Sequence, residues 1–246
     1  MVKIIPLEHP NLGHCKMHCD KILHKKLLDM GPMIADCFSK NSFNIIIGRP
    51  GQGKTSLLTQ FVRKVLNNVY ENIFLVMPEG SRRDIDNDYF STHLPDESIF
   101  NDLNQTTLTH IYDQLVKAKE NDENSLVIID DFQDVMRDKN FVKIIEKMVI
   151  KFRHLNSTIF FLQQTFNKCP RGIRTLANNL FVFNIGRDQF EIFHKEVSNL
   201  KKSAFFEIVR VCYQDAHDWL CFNTRSQKIY KLFDEVVVND DEERRE

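Results

Sequence analysis

The stretch Phe43-Asn44-Ile45-Ile46-Ile47-Gly48-Arg49-Pro50-Gly51-Gln52-Gly53-Lys54-Thr55-Ser56 decides the fold. Its first part is an apolar run ending on Gly, which predicts a strand buried on both faces of a parallel sheet. From Gly48 to Thr55 it matches G-x-x-x-x-G-K-[ST] in full. The next segment, 54–69, carries Leu57, Leu58, Phe61, Val62, Val65 and Leu66 at helical period. In a strand–loop–helix context the glycines let N–H groups turn inward around phosphate oxygens, and the helix start adds unpaired N–H groups and a positive dipole end. Gly48, Arg49, Pro50, Gly51, Gln52, Gly53, Lys54, Thr55 and Ser56 are therefore the candidate nucleotide-binding residues, with ATP and Mg²⁺ as expected ligands. Lys54 would neutralise β/γ-phosphate charge, and the Thr55 hydroxyl would ligate Mg²⁺.

Composition bounds the rest. A chain of 246 residues suits one large domain, or one domain with an appendage. With 33 Lys+Arg against 34 Asp+Glu, the net charge of -1 excludes a histone-like polycation that binds nucleic acid by bulk charge. Three of only eight glycines fall at 48, 51 and 53, as expected where the backbone takes an unusual shape. No apolar run approaches the roughly 20 residues of a membrane span. The opening MVKIIPLEHPNLGHCK is broken by Pro6 and Glu8 and does not read as a signal peptide. A reducing, cytoplasm-like compartment is expected, with the six cysteines as free thiols. His14, Cys15, His18, Cys19 and His24 could suggest zinc, but no second pair at finger-like spacing follows, so they are read as ordinary helix residues.

Working outward, 1–40 reads as an N-terminal extension, helical from about Cys19 to Phe38 with a break at Gly31-Pro32. Strands are predicted at 43–48, 72–77, 126–130, 158–164 and 180–185, and helices near 54–69, 106–120 and 140–154. The polar, acidic stretch 79–104 reads as a long surface loop with short helical pieces. EIVRVCY (207–213) and WLCFNT (219–224) read as a terminal hairpin around Gln214-Asp215-Ala216-His217-Asp218. The acidic end, 236–246, reads as a solvated tail. The alternation of strands and helices indicates an α/β domain with a mainly parallel sheet, spanning about 41–235.

Asp130 and Asp131 follow the apolar strand LVII. An acidic residue at a buried strand end suits the Walker B role, holding Mg²⁺ partly through water. Its neighbour Asp131 can orient and deprotonate an attacking water, which is hydrolase chemistry, or act as a helix N-cap. The strand TIFFLQQ ends in Gln163-Gln164, where an amide can touch both γ-phosphate and water.

The segment from Lys151 to Thr165, KFRHLNSTIFFLQQT, resembles one found in FtsK–HerA ATPases: a helix-ending Arg, a short turn, an apolar strand and a terminal Gln. PRGIRTLANNLFVFNIG (170–186) resembles that family's next helix and strand. The likeness covers about 40–190 and is closest to genome-packaging ATPases of poxviruses, giant viruses and their virophages, the short, Lys/Phe-rich chain fitting the virophage type. Two departures stand out: Asp131 where many relatives carry Glu, and Thr165 where an Arg is frequent. The resemblance implies an ASCE, RecA-like P-loop NTPase with Gln164 as sensor and Arg153 as an arginine finger acting in a neighbouring subunit's site, with Arg171, Arg174 and Arg187 as rivals. It implies a double-stranded DNA translocase that packages a viral genome. That enzyme would work as a hexameric or pentameric ring at a capsid or procapsid vertex, in host cytoplasm and viral factory, and associate with the virion.

Between Arg137 and Arg174 nine basic residues face only Asp138 and Glu146. Lys139, Lys143, Lys147 and Lys151 recur every fourth residue and form one helical stripe, a candidate for DNA phosphates or a solvated face. An ATP-dependent adaptor or helicase-loader-like switch is the alternative function, and a small-molecule kinase the third. The kinase reading lacks an arginine-rich lid.

Overall fold

The computed structural model describes residues 2–5, 31–38, 41–66, 69–83, 88–130, 132, 135 and 138–238. The strands are β1 (Val2–Ile5), β2 (Phe43–Ile47), β3 (Asn72–Val76), β4 (Ile99–Phe100), β5 (Ser125–Ile129), β6 (Ser157–Gln163), β7 (Asn179–Phe183), β8 (Trp219–Asn223), β9 (Ile229–Lys231) and β10 (Asp234–Val238). The helices are α1 (Pro32–Cys37), α2 (Lys54–Phe61), α3 (Glu79–Arg83), α4 (Tyr89–His93), α5 (Gln105–Glu120), α6 (Lys139–Phe152), α7 (Arg171–Arg174), α8 (Arg187–Val197) and α9 (Lys202–Cys212). A π-helical turn, Val62–Leu66, prolongs α2.

Among the described residues ten strands form one sheet in the order β1-β10-β9-β8-β7-β2-β6-β5-β3-β4. From β7 to β4 every pair is parallel, whereas β7-β8, β8-β9, β9-β10 and β10-β1 are antiparallel. β6 is interposed between β2 and β5, so the phosphate-loop strand lies one strand away from the strand that carries Asp130. That placement sets the loops after β2 and β5 on either side of the end of β6, at the carboxyl ends of the parallel strands, where α/β sheets bind ligands.

Strand periodicity divides the core. Ile45 and Ile47 face α5, α6, α8 and α9, together with Ile159 and Phe161. Ile46 faces α1 and α2 with Phe160, Leu162, Phe181 and Trp219. Every residue of β2, β5, β6, β7 and β8 is buried, which explains why their apolar runs hardly alternate. At α2, Phe61 meets Trp219 edge-on with centroids 6.1 Å apart, locking the helix behind the phosphate loop to the first antiparallel strand.

Several sequence expectations change. EIVRVCY is helix rather than strand: Phe205, Ile208 and Cys212 recur at i, i+3 and i+7 and are buried on one face of α9. The terminal hairpins are instead β8-β9 and β9-β10. The segment 1–40 contributes a strand as well as a helix, since β1 pairs with β10 at one edge of the sheet. Within α1, Met33, Ile34 and Cys37 are core residues. Asn179 and Asn223 donate to the carbonyls of Cys37 and Asp36, and the Tyr230 hydroxyl donates to the Asp36 carboxylate, which binds α1 to the main domain. The acidic stretch 79–104 holds α3, α4 and a short edge strand, β4. The first residues of the expected tail, 236–238, instead belong to β10, while the cluster from His14 to His24 and the remainder of the tail, from 239 onward, lie outside the described residues. No helix among the described residues is long and apolar enough to cross a membrane.

Candidate nucleotide-binding site

The loop between β2 and α2 begins where Gly48 N–H donates to the Gln163 carbonyl at 3.0 Å, tying it to the end of β6. A side chain at Gly48 would lie 2.9 Å from Phe183 Cβ, so this glycine is required by close packing. Gly51 (φ 78°) and Gly53 (φ 96°) adopt the left-handed conformation that other residues take only with strain. Around them Arg49, Pro50, Gly51 and Ser56 are exposed, and Gln52, Gly53, Lys54 and Thr55 are half-buried.

The loop is braced from two sides. Gln52 Oε1 accepts from Arg49 N at 2.6 Å while its Nε2 donates to the Asn184 carbonyl at 2.9 Å. Arg49 Nη2 donates to the Ile185 carbonyl at 3.4 Å. On the other side His217 Nδ1 contacts the Gln52 carbonyl at 3.0 Å. Lys54 Nζ donates to the Arg49 carbonyl at 3.2 Å, folding its ammonium over the loop. The curled loop and the start of α2 thus form a preorganised anion cradle.

Thr55 Oγ1 donates to Asp130 Oδ2 at 2.9 Å. Asp130 is 5% exposed and continues β5, its N–H donating to the Val76 carbonyl at 2.9 Å. A hydroxyl and a buried carboxylate side by side are hard oxygen donors of the kind Mg²⁺ takes, so these residues fit that ion. Asp131 lies outside the described residues. Gln164 is half-buried immediately beyond β6. Gln163 differs: it is 1% exposed, and among the described residues neither polar atom of its side-chain amide has a hydrogen-bond partner.

Arg153 opens a 3₁₀ turn, Arg153–Leu155, between α6 and β6. Arg174, a rival finger, is committed elsewhere. Its Nε and Nη2 donate to Glu196 at 2.6 Å each, and its Nη1 donates to the Cys169 carbonyl at 2.6 Å. Its guanidinium lies 4.7 Å from the centre of the Phe166 ring. With its side chain only 10% exposed, Arg174 is a structural residue and not available to a neighbour. Arg171 is exposed, and Arg187 is exposed beside Glu191. On α6, Lys139, Lys143, Lys147 and Lys151 are all exposed, while Phe141, Ile145, Val149 and Phe152 are buried. Ile150 interrupts this stripe at 49% exposure.

Sequence reasoning assigned His217 to a turn and missed its approach to the phosphate loop. No local pattern marks it, because its partner is 165 residues away.

Fold and site together define a P-loop NTPase: a parallel sheet with an interposed strand, a glycine loop, and a Thr–Asp pair across two strand ends. Residues 34–244 match the family of the poxvirus A32 protein, and the chain belongs to that family. Among solved structures it is similar to B204, the DNA-packaging ATPase from Sulfolobus Turreted Icosahedral Virus, at 13% identity and a TM-score of 0.61, over 79% of this chain and 98% of that one. It is also similar to the genome packaging NTPase B204 of Sulfolobus turreted icosahedral virus 2 in complex with ATP-gammaS, at 12% identity and a TM-score of 0.58, over 79% and 98% of the two chains. A third likeness is to the pCW3 conjugation coupling protein TcpA with ATPgS, at 10% identity and a TM-score of 0.53, over 79% of this chain and 60% of that one. An uncharacterized protein ycf45 of Cyanidium caldarium is 24% identical over 107 residues, which span 44% of this chain and 31% of that protein.

Proposed function

We propose that this protein hydrolyses ATP to drive double-stranded DNA into a viral capsid. The observation that carries the reading is the Thr55–Asp130 contact at the mouth of the glycine cradle, in a chain of the poxvirus A32 family. Two of the similar solved structures are a DNA-packaging ATPase and a genome packaging NTPase, which favours the same use of the fold.

In this reading the N–H groups of the loop and of the first turn of α2 hold the phosphates. Lys54 neutralises charge on the β/γ-phosphates. Thr55 and Asp130 would hold Mg²⁺, which would supply charge neutralisation. Asp131 takes the proton of the attacking water, and Gln164 orients that water and reports the state of the γ-phosphate. Arg153 acts in the adjacent subunit's site, so head-to-tail contacts close a hexameric or pentameric ring. The lysine stripe of α6 contacts DNA phosphates without reading bases. Docking at a capsid vertex completes the proposal.

The test is ATPase activity against protein concentration, with and without duplex DNA. Steep concentration dependence and stimulation that scales with duplex length are expected. Hydrolysis independent of both would leave a nucleotide-bound adaptor as the better reading.

A further inference from the structure

The peptide between Gln52 and Gly53 has two ends with different partners. Its carbonyl accepts from His217 at 3.0 Å. Its N–H belongs to Gly53, the left-handed residue that leads into α2. Since a trans peptide points its C=O and N–H in opposite directions, holding the carbonyl outward aims the N–H inward. A carbonyl can only accept, so Nδ1 of His217 carries the proton in this contact. Donation to the carbonyl also polarises the N–H on the far side of the same peptide and makes it a better donor.

His217 is itself firmly held. The following residue, Asp218, is buried, and its Oδ2 accepts from the N–H groups of Gln214 and Asp215 at 2.8 Å each. Lys231 of β9 pairs with the same oxygen at 3.3 Å. Trp219, next along, packs against Phe61 of α2. The loop between α9 and β8 is therefore a rigid bracket based on the antiparallel half of the sheet. Only its tip, His217, reaches the cradle, where Nδ1 would stand 3.5 Å from a Cβ placed on Gly53.

We infer that His217 is a positioning residue of the phosphate site, setting the Gln52–Gly53 peptide so that the Gly53 N–H points at a nucleotide phosphate. The inference rests on the ATP-binding reading of the loop. It assigns a role in phosphate binding to a residue outside both Walker motifs.

The test compares wild type, His217→Ala, His217→Gln and Lys54→Ala by titration with ATP, ADP, adenosine and inorganic tripolyphosphate. Losing one preorganised donor should weaken ATP, ADP and tripolyphosphate about tenfold in His217→Ala. Adenosine affinity and the nucleotide-free melting temperature should not change, because the His217 side chain is exposed. His217→Gln keeps an N–H donor and should recover much of the loss. Equal phosphate affinities in wild type and His217→Ala would overturn the inference alone, as would a loss that adenosine shares. Failure of wild type to bind ATP at all would overturn the ATP-binding reading and this inference with it.

Discussion

Thr55 and Asp130, 75 residues apart, meet through a 2.9 Å hydrogen bond from hydroxyl to carboxylate at the ends of two non-adjacent strands. The bond passes over the end of the interposed β6, and it brings two oxygen donors together at one point. Asp130→Asn preserves shape and removes charge. Turnover should fall by roughly 10²–10³ with a melting temperature close to wild type, read from phosphate release and circular dichroism. Near wild-type turnover would overturn the Mg²⁺-holding role proposed for Asp130.

Arg153 and Arg174 should behave oppositely. Arg153→Ala is expected to bind ATP normally and to lose about 10³-fold or more in hydrolysis. Mixing it with Lys54→Ala should restore part of the activity, because each variant supplies what the other lacks. If Arg153→Ala hydrolyses ATP like wild type, the finger lies elsewhere, with exposed Arg171 and Arg187 next in line.

Arg174→Ala removes one member of a largely buried ion pair and strands Glu196. Breaking such a pair costs about 3–5 kcal/mol. Urea denaturation should show the loss directly, and a variant as stable as wild type would contradict the structural role given to this arginine.

Gln163 carries an enclosed side-chain amide with no partner among the described residues, an arrangement that costs about 1–3 kcal/mol for such a group. Gln163→Met fills similar space without the polar atoms and should raise the nucleotide-free melting temperature. A lower melting temperature would mean that the amide is paired in solution.

Alkaline pH should weaken the fold. Burial pushes the Cys169 thiol up to about 12, the Cys212 thiol to about 11 and the Tyr70 hydroxyl to about 12. Each group ionises more readily once unfolded, so its contribution is fully present below the ordinary pKa of 9–10 and is lost as pH rises through the folded value. Stability measured by urea titration should be level near pH 8 and fall steadily from about pH 9 to 11. A flat profile over that range would contradict these assignments.

The phosphate loop, its strand and helix, the strand leading to Asp130 and the helical lysine stripe were all legible in the sequence, because each is a pattern within a few residues. The helix α9 was not, since a run rich in valine and isoleucine looks like a strand until packing selects the i, i+3, i+7 face of Phe205, Ile208 and Cys212. The arginines after β6 were equally plausible fingers on paper. Only the arrival of Glu196 from α8 beside Arg174 separated structural from available.

By itself the sequence determined the phosphate chemistry, because cradle geometry depends on glycines and a lysine at fixed spacing within one short loop. Tertiary structure decided what surrounds that loop: β6 between its strand and Asp130, β1 at the sheet edge, and His217 on the Gln52 carbonyl. Those contacts join residues distant in the chain, such as Gln52 and His217, or Val2 and Val238, and they exist only once the sheet brings its strands together. Strand order depends on how whole faces of the sheet are buried, and no local spacing of residues encodes it.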